Sequence, residues 1–580
     1  MIDPYRMIVV NIVGCMVVFL SWFVYAYIYP KKKVNLFILL LLISLLPVLS
    51  IFRAGTYESG DFNIHVFRII SFYNSLKEGI LIPSWAADLN SSYGNPLFIF
   101  NYSLPYYVIS FFHTLGLSFI DSTKLFLGLT LYLSSITMYF AIREITSNKL
   151  AAFIAAIFYV FNPYHLIDVH FRATLGESTV FLIAPLVFLS IHKYFRTNKS
   201  YFLILNSILI ILLVMAHPLI AICYSILLIF YAIFLGLESK KYKHSVSVIF
   251  SLVLGVLSSA YVWSSFLIYS PFMYTISSAE PIFYEFKYLF FSPWRLGFLF
   301  QGPNGELAQI IGYTQVAIIS IMTVSLFTKK LKRTLKNGVI FWLIIFFSIL
   351  FIMHPISTFI WKPFPLFWML LPFGRLLVIV AFCTSIVAAY FVLNLKNQTK
   401  NKIIILLVIL LTIGYTILNW GHRRVIPEIS DNTLIQNLGK STLTEGKTAY
   451  FLNNKWADIN NFWFSEPPKT HLEIIEGAAM VKEVERTSIM HSYNIQSKTP
   501  IVIRENTLYF PGWTMTANGK QIDIYPGNRG IINAKLPTGN YYIELRYKDI
   551  PTYDLLKKIC FTLLSILITI FLIKYFMKKY

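Results

Sequence analysis

Thirteen stretches of the chain are apolar for long enough to enter a lipid bilayer, and they constrain the fold more than any other feature. They lie at about 7–29, 34–52, 123–142, 150–165, 178–195, 200–216, 218–237, 245–266, 309–328, 338–354, 372–394, 403–420 and 554–573. Crossing a hydrocarbon core of about 30 Å takes about 20 helical residues, so the shorter runs need tilt or local thinning of the bilayer. Hydrophobic residues make up 57% of the chain and charged ones 13%, with a mean hydropathy of +0.64, more apolar surface than a soluble fold could cover. The expected class is an all-α polytopic membrane protein with about thirteen transmembrane helices. The first run is too long for a signal-peptide core and has no small-residue cleavage site, so it is expected to remain as a helix.

A net charge of +22 could indicate a nucleic-acid partner, but the basic residues form short clusters between apolar runs rather than one face, which excludes that class. The clusters are Lys31-Lys32-Lys33, Arg143 with Lys149, Lys193 with Arg196 and Lys199, Lys240-Lys241 with Lys243, Lys329-Lys330 with Lys332, Arg333 and Lys336, Lys396 with Lys400 and Lys402, and Lys574 with Lys578-Lys579. Basic loops stay cytoplasmic, which puts the C-terminus inside. If 104–119 also spanned, every later cluster would flip outward, so Leu104 to Phe119 is read as a helix in the outer interface, with Tyr106-Tyr107 and Phe111-Phe112 at headgroup depth. Four non-cytoplasmic regions follow, at 53–122, near 166–177, at 267–308 and at 421–553. The domain division is a multi-helix module over 1–420, a β-rich domain over 421–553, and a last helix with a basic tail over 554–580.

The 421–553 region carries alternating stretches such as Gln521 to Tyr525 and Tyr541 to Tyr547, separated by turns such as Asn518-Gly519 and Gly539-Asn540, the pattern of a small antiparallel β domain. Cys15, Cys223, Cys383 and Cys560 all sit in apolar runs, with no disulfide or metal-ligand spacing.

Polar chemistry concentrates in the non-cytoplasmic connections. In Ser59-Gly60-Asp61-Phe62-Asn63-Ile64-His65-Val66-Phe67-Arg68, helical spacing puts Asp61, His65, Arg68 and Phe72 on one face. A carboxylate there could take a proton from a hydroxyl while the imidazole and guanidinium position a phosphate or sugar. Alternatively, Asp61 only caps the helix and Arg68 snorkels. Trp85 and Tyr93, around the Gly94-Asn95-Pro96 turn, could stack on sugar rings or anchor the chain at the interface. A second group, Asn162-Pro163-Tyr164-His165 through Asp168, His170, Arg172 and Gly176-Glu177, holds two acids, two imidazoles and a guanidinium. Asp168 and Arg172 suit a helical ion pair, and His165 with Asp168 or His170 falls short of a metal ligand set, so no metal site is assigned. Arg295, Lys362 and Arg375 defy the positive-inside pattern, and Arg375 at a helix entrance suits a polyprenyl phosphate.

In order along the chain, Gly60-Asp61-x-x-x-His65-x-x-Arg68 with Trp85 and Tyr93 to Phe98, Asn162 to Glu177, Leu371-Pro372-Phe373-Gly374-Arg375, and Phe510-Pro511-Gly512-Trp513 resemble motifs of GT-C class glycosyltransferases. The likeness is closest to the bacterial YfhO-type membrane proteins, also described as pyruvoyl-tetrahydropterin-synthase-related, and it covers nearly the whole chain. It implies a GT-C fold in the bacterial cytoplasmic membrane, with an outward active site under the 53–122 loop and an extracytoplasmic β domain. It also implies transfer, with inversion, of a sugar from a polyprenyl-phosphate donor to a cell-envelope glycan, glycolipid or protein. Asp61 maps to the general base, and Arg375, with Arg295, to stabilisation of the leaving phosphate. His65, Arg68, Trp85, Tyr93, Asp168, Arg172 and Glu177 map to substrate binding. Gly374 departs from a Trp in the family pattern, and the lack of paired acids at Asp61 leaves a divalent metal unspecified. A lipid-linked saccharide flippase and a non-enzymatic polysaccharide-binding protein remain the alternatives.

Overall fold

The computed structural model describes all residues except 1–3, 33, 274–281, 329, 365–371, 396–397, 423, 439–453, 458–463, 465 and 578–580. Lys33, Lys329, Leu371, Lys396 and Lys578-Lys579 of the sequence motifs therefore lie outside the described residues.

Eight described helices, rather than thirteen, are long and apolar enough to cross a membrane: Met7–Ile28, Phe119–Thr146, Leu175–Thr197, Pro218–Ser239, Arg333–Met353, Phe373–Asn394, Thr399–Asn419 and Pro551–Phe576. The other five apolar runs resolve into two kinds of element. Lys149–Val160 with Pro163–Arg172 and Tyr242–Leu257 with Ala260–Phe272 are bent by 46° and 51°, and would bring the count to ten if each pair is one span. Leu36–Phe52, Tyr201–Ala216 and Tyr313–Phe327 are shorter apolar helices. At 1.5 Å per residue these three are about 23–26 Å long, so they reach across a 30 Å core only where the bilayer thins. Phe373–Asn394 is central, with 89% of its apolar window buried, whereas Met7–Ile28 and Pro551–Phe576 bury 11% and 6% and are peripheral. The 104–119 segment forms a helix only over Leu104–Thr114, about 16 Å by its length and too short to span.

Local chemistry sets the helix ends. Ser118 caps Phe119–Thr146, and the carboxylate of distant Asp431 accepts from Phe119 N at 2.6 Å and Ile120 N at 3.1 Å, satisfying free donors of the first turn. Asn162 caps the short Pro163–Ile167 helix, which has proline where no donor is needed. Its continuation, Asp168–Arg172, is wound as a π-helix and ends at Ala173 with φ of 57°. Such turns re-aim side chains and recur at functional sites.

Strands β1 (Thr56–Tyr57) and β2 (Val425–Ile426) pair antiparallel, tying the first loop to the segment after the last core span. The C-terminal β domain holds β3 (Leu472–Glu476), β4 (Ala479–Arg486), β5 (Met490–Ser497), β6 (Ile501–Leu508), β7 (Trp513–Ala517), β8 (Lys520–Ile522), β9 (Ile524–Pro526), β10 (Ile531–Leu536) and β11 (Gly539–Tyr547). They form antiparallel sheets in the orders β3-β6-β10-β9 and β4-β5-β11-β7-β8. In β7, for example, Trp513, Met515 and Ala517 point inward and Thr514 outward, the alternation expected of a strand with one buried face. Trp85 of the first loop is buried against Trp513 and Tyr547, at ring separations of 5.3 and 5.4 Å, and seats the domain on that loop. Beside it, Lys557 Nζ at the head of the last helix reaches Asp549 Oδ2 at 2.6 Å, Ser84 Oγ at 2.9 Å and the Ile82 carbonyl at 3.0 Å.

Candidate functional site

Asp61 occupies the N-cap position of the Phe62–Lys77 helix, yet its side chain makes no cap bond; Ser59 Oγ accepts the Phe62 N–H instead, at 3.0 Å. The half-buried carboxylate is thus spared a structural task. The backbone around it is pinned: Gly60 N donates to Phe171 O and Asp61 N to Arg172 O, each at 2.9 Å. These two bonds join the first-loop motif to the π-helical turn.

From that turn Arg172 enters a buried ion network. It donates to Asp168 Oδ1 at 2.7 Å, to Glu177 Oε1 at 2.8 Å and to the Tyr164 hydroxyl at 2.9 Å, and that hydroxyl donates to Glu177 Oε2 at 2.6 Å. Glu177 also faces Arg375 Nε at 3.4 Å, and Arg375 Nη1 lies 3.1 Å from His217 Nε2. Two acids and two guanidiniums are balanced here, as burial requires. Glu177 is almost fully enclosed, whereas the Arg375 side chain keeps 32% exposure against 14% for Arg172.

An aromatic relay runs back from His217 to the first loop. The Tyr102 ring stacks on His217 at 6.2 Å and its hydroxyl lies 3.2 Å from His65 Nε2, while His65 Nδ1 lies 3.2 Å from the Tyr106 hydroxyl. Arg68 and Asn101 hydrogen-bond the same Tyr106 hydroxyl. His65, Arg68 and Phe72 therefore share the face that the spacing predicted, and Tyr106 receives it. Burial, reinforced by the Arg68 charge, pushes the His65 imidazole well below its ordinary range, so it is neutral at physiological pH. Burial also raises the Tyr102 phenol, which lies within electrostatic reach of Asp61, Arg68 and Arg375 together.

Two glycines make the geometry possible. A Cβ at Gly176 would stand 2.6 Å from Ala216 O and 3.0 Å from Tyr102. At Gly374 it would overlap Gln309 Oε1 and approach the Tyr284 hydroxyl to 2.8 Å, so the site has no space for the tryptophan of the family pattern.

The structure therefore brings together Asp61, His65, Arg68, Asp168, Arg172, Glu177 and Arg375. Trp85 is not with them: it packs at the β-domain junction against Trp513 and borders a separate cleft there. Tyr93 stacks on Phe464 at 3.7 Å in the same junction. Arg295 is exposed beside a different cavity of about 440 Å³, shared with Met7, Trp294 and His422. His165 packs flat on Phe181 and bonds the Tyr159 carbonyl, as a core histidine does. Among the described residues no three His, Cys, Asp or Glu gather as a metal site. Sequence reasoning missed the places of His217, Tyr102 and Tyr106 in this network. A His-Pro pair interrupting two apolar runs was the available signal for His217.

A second buried network lies in the β domain. Glu505, fully buried, accepts from Arg486 at 2.7 Å, from Tyr493 at 2.9 Å and from His491 Nδ1 at 2.9 Å. Burial alone would raise its carboxyl, but His491, Arg486 and Thr507 outweigh it and hold it at about 2.

Comparison with known proteins gives three findings. An uncharacterized protein of Lactococcus lactis subsp. cremoris (strain MG1363) is 26% identical over 171 residues, 29% of this chain and 28% of the relative, so the chain matches little more than a quarter of that relative's length. The archaeal oligosaccharyltransferase AglB from Archaeoglobus fulgidus, solved in complex with an inhibitory peptide and a dolichol-phosphate, overlays with a TM-score of 0.40 at 12% identity. That overlay covers 66% of this chain and 56% of the other, a likeness too slight to carry function across. The membrane-protein family described as the 6-pyruvoyl-tetrahydropterin synthase related domain matches residues 99–420; Asp61, His65, Arg68, Trp85 and Tyr93 precede the match. Because the match takes in more than half of the chain, this multi-pass protein belongs to the 6-pyruvoyl-tetrahydropterin synthase related family of membrane proteins.

Proposed function

We propose that the protein is a GT-C type glycosyltransferase of the bacterial cytoplasmic membrane. It moves a sugar from a polyprenyl-phosphate donor to an acceptor of the cell envelope on the extracytoplasmic side. The observation that carries this reading is the Asp61 backbone hydrogen-bonded to Arg172, whose guanidinium shares Glu177 with Arg375, while Tyr102 links His65 of the Asp61 helix to His217 beside Arg375. A carboxylate relieved of capping and a part-exposed guanidinium are what such a transfer needs. Asp61 takes the proton of the acceptor hydroxyl as its oxygen attacks the anomeric carbon from the face opposite the phosphate. The bond from that carbon to the phosphate oxygen breaks with inversion, and Arg375 stabilises the charge gathering on the departing polyprenyl phosphate. Arg375 is held ready by Glu177 and His217, and Glu177 is itself neutralised by Arg172. His65, kept neutral one turn along the helix from Asp61, orients the Tyr102 and Tyr106 hydroxyls.

The test is transfer of radiolabelled sugar from a panel of polyprenyl-phosphate sugars to cell-envelope acceptors by wild type and Asp61→Asn protein. Transfer by wild type and a loss of at least about a hundredfold in the folded variant are expected; equal transfer removes Asp61 from the mechanism. A second reading, a lipid-linked saccharide transporter, draws on the two broken spans, since broken helices line transport sites. Transport in proteoliposomes that survives Asp61→Asn, with no transfer, would favour it.

A further inference from the structure

The Phe62–Lys77 helix has Asp61 at one end and, at the other, a recess that the transfer chemistry does not use. A cleft of about 610 Å³ lies between Asn74, Lys77 and Glu78 of the last turn, the 85–93 segment of the first loop, and the β domain. A second cavity of about 460 Å³ has Asn74, Lys77, Asp88 and Ser92 in its wall as well, so the two are parts of one trough.

Several of its polar groups are engaged by neighbours. Asn74 Nδ2 donates to Asp88 at 3.2 Å, His471 Nδ1 meets Glu483 at 2.7 Å, and Glu78 accepts the Ser488 N–H at 2.8 Å. Arg486 and His491 reach the trough from the Glu505 network. His491 is 1% exposed and its Nε2 has no hydrogen-bond partner, an unspent polar atom in the trough wall. Two cations, Lys77 and Arg486, face three carboxylates, Glu78, Asp88 and Glu483, so a polyphosphate meets no positive field; the larger cleft is lined mainly by polar side chains, while Ile70, Phe119, Ile435 and Leu438 belong to the smaller cavity. Planar carboxylate, amide, guanidinium and imidazole groups side by side suit the neighbouring hydroxyls of a sugar chain.

We propose that this trough binds a run of neutral sugar units, the glycan of the acceptor, an inference that rests on the transfer reaction proposed above. The helix between the trough and Asp61 is about 24 Å long, so the acceptor is held by internal units while its end reaches the base.

The experiment uses full-length protein in lipid nanodiscs and follows binding of linear tetrasaccharides of glucose, galactose and N-acetylglucosamine by calorimetry, with a glycerol-phosphate oligomer as the charged comparator. At least one tetrasaccharide is expected to bind wild type and Asp61→Asn alike. Asn74→Ala with Lys77→Ala should weaken it at least tenfold and raise the acceptor KM by a similar factor. Lys77 is exposed, so Lys77→Ala alone keeps the test alive if the double variant misfolds. No tetrasaccharide binding, preference for glycerol phosphate, or binding unchanged in both variants overturns the proposal. Tetrasaccharide binding without sugar transfer sustains the trough and counts against the reaction; transfer with an acceptor KM indifferent to the variants does the reverse.

Discussion

Asp61 and Glu177 are both acids near helix starts, and their surroundings give them opposite tasks. Asp61 makes no cap bond, and Asp61→Asn keeps its shape while removing a base. The expected outcome is a loss of about 10²–10⁴ in kcat with unchanged thermal unfolding, measured on the same preparation. Glu177 is enclosed by Arg172, Arg375 and Tyr164, so Glu177→Gln leaves two guanidiniums with Asp168 as their one carboxylate among the network residues. A destabilisation of about 3–5 kcal/mol should appear in thermal unfolding in detergent. The density of ionisable residues at 162–177 made Asp168, Arg172 and Glu177 legible from sequence, because apolar spans rarely carry such residues without a purpose. His217 and Tyr102 were not legible: they meet each other across more than a hundred residues, and Tyr102 reaches His65 only through the packing of separate helices. The junction packing of Trp85 was not legible, because an aromatic ring suits a sugar face and a domain junction equally well in sequence, and its contact with Trp513 is made only in the fold.

At the scale of elements, apolar content located the helices, while their breaks depended on cues of one or two residues. Asn162-Pro163 ends one arm of a bent span and starts the other, and that bend aims Asp168 and Arg172 at Glu177. The strands were legible by alternation, but their pairing was not. Glu505 meets Arg486, His491 and Tyr493 only because of where β6 lies against β4 and β5, and no local pattern states that arrangement. This network gives a pH prediction. The Glu505 carboxyl falls from an ordinary 4.5 to about 2 on folding, so its stabilisation is complete above about 4.5 and is lost as pH falls towards 2. That shift corresponds to roughly 3 kcal/mol. Glu505→Gln should therefore unfold more readily than wild type at pH 7, and the gap in melting temperature should close as pH drops from 4.5 to 2.

For the whole molecule, the first loop, the β domain and the last helix meet at one junction closed by Lys557, Asp549 and Ser84. Lys557→Met leaves the Asp549 charge buried without its cation. Faster hydrogen exchange is expected across 79–95 and 545–557, with the 162–177 segment unchanged; uniform exchange would show that the junction is not a separate unit. The helix starting at Phe119 has a further property, because Asp431, which satisfies two of its first donors, lies 312 residues later in the chain. At synthesis rates of about 5–20 residues per second, that helix end waits about 15–60 s for its partner. Arg375 likewise reaches Glu177 only when most of the chain has been made. Assembly in time thus runs from spans to site: a ribosome stalled before residue 372 leaves a bundle already inserted, with Glu177 answered by Arg172 alone.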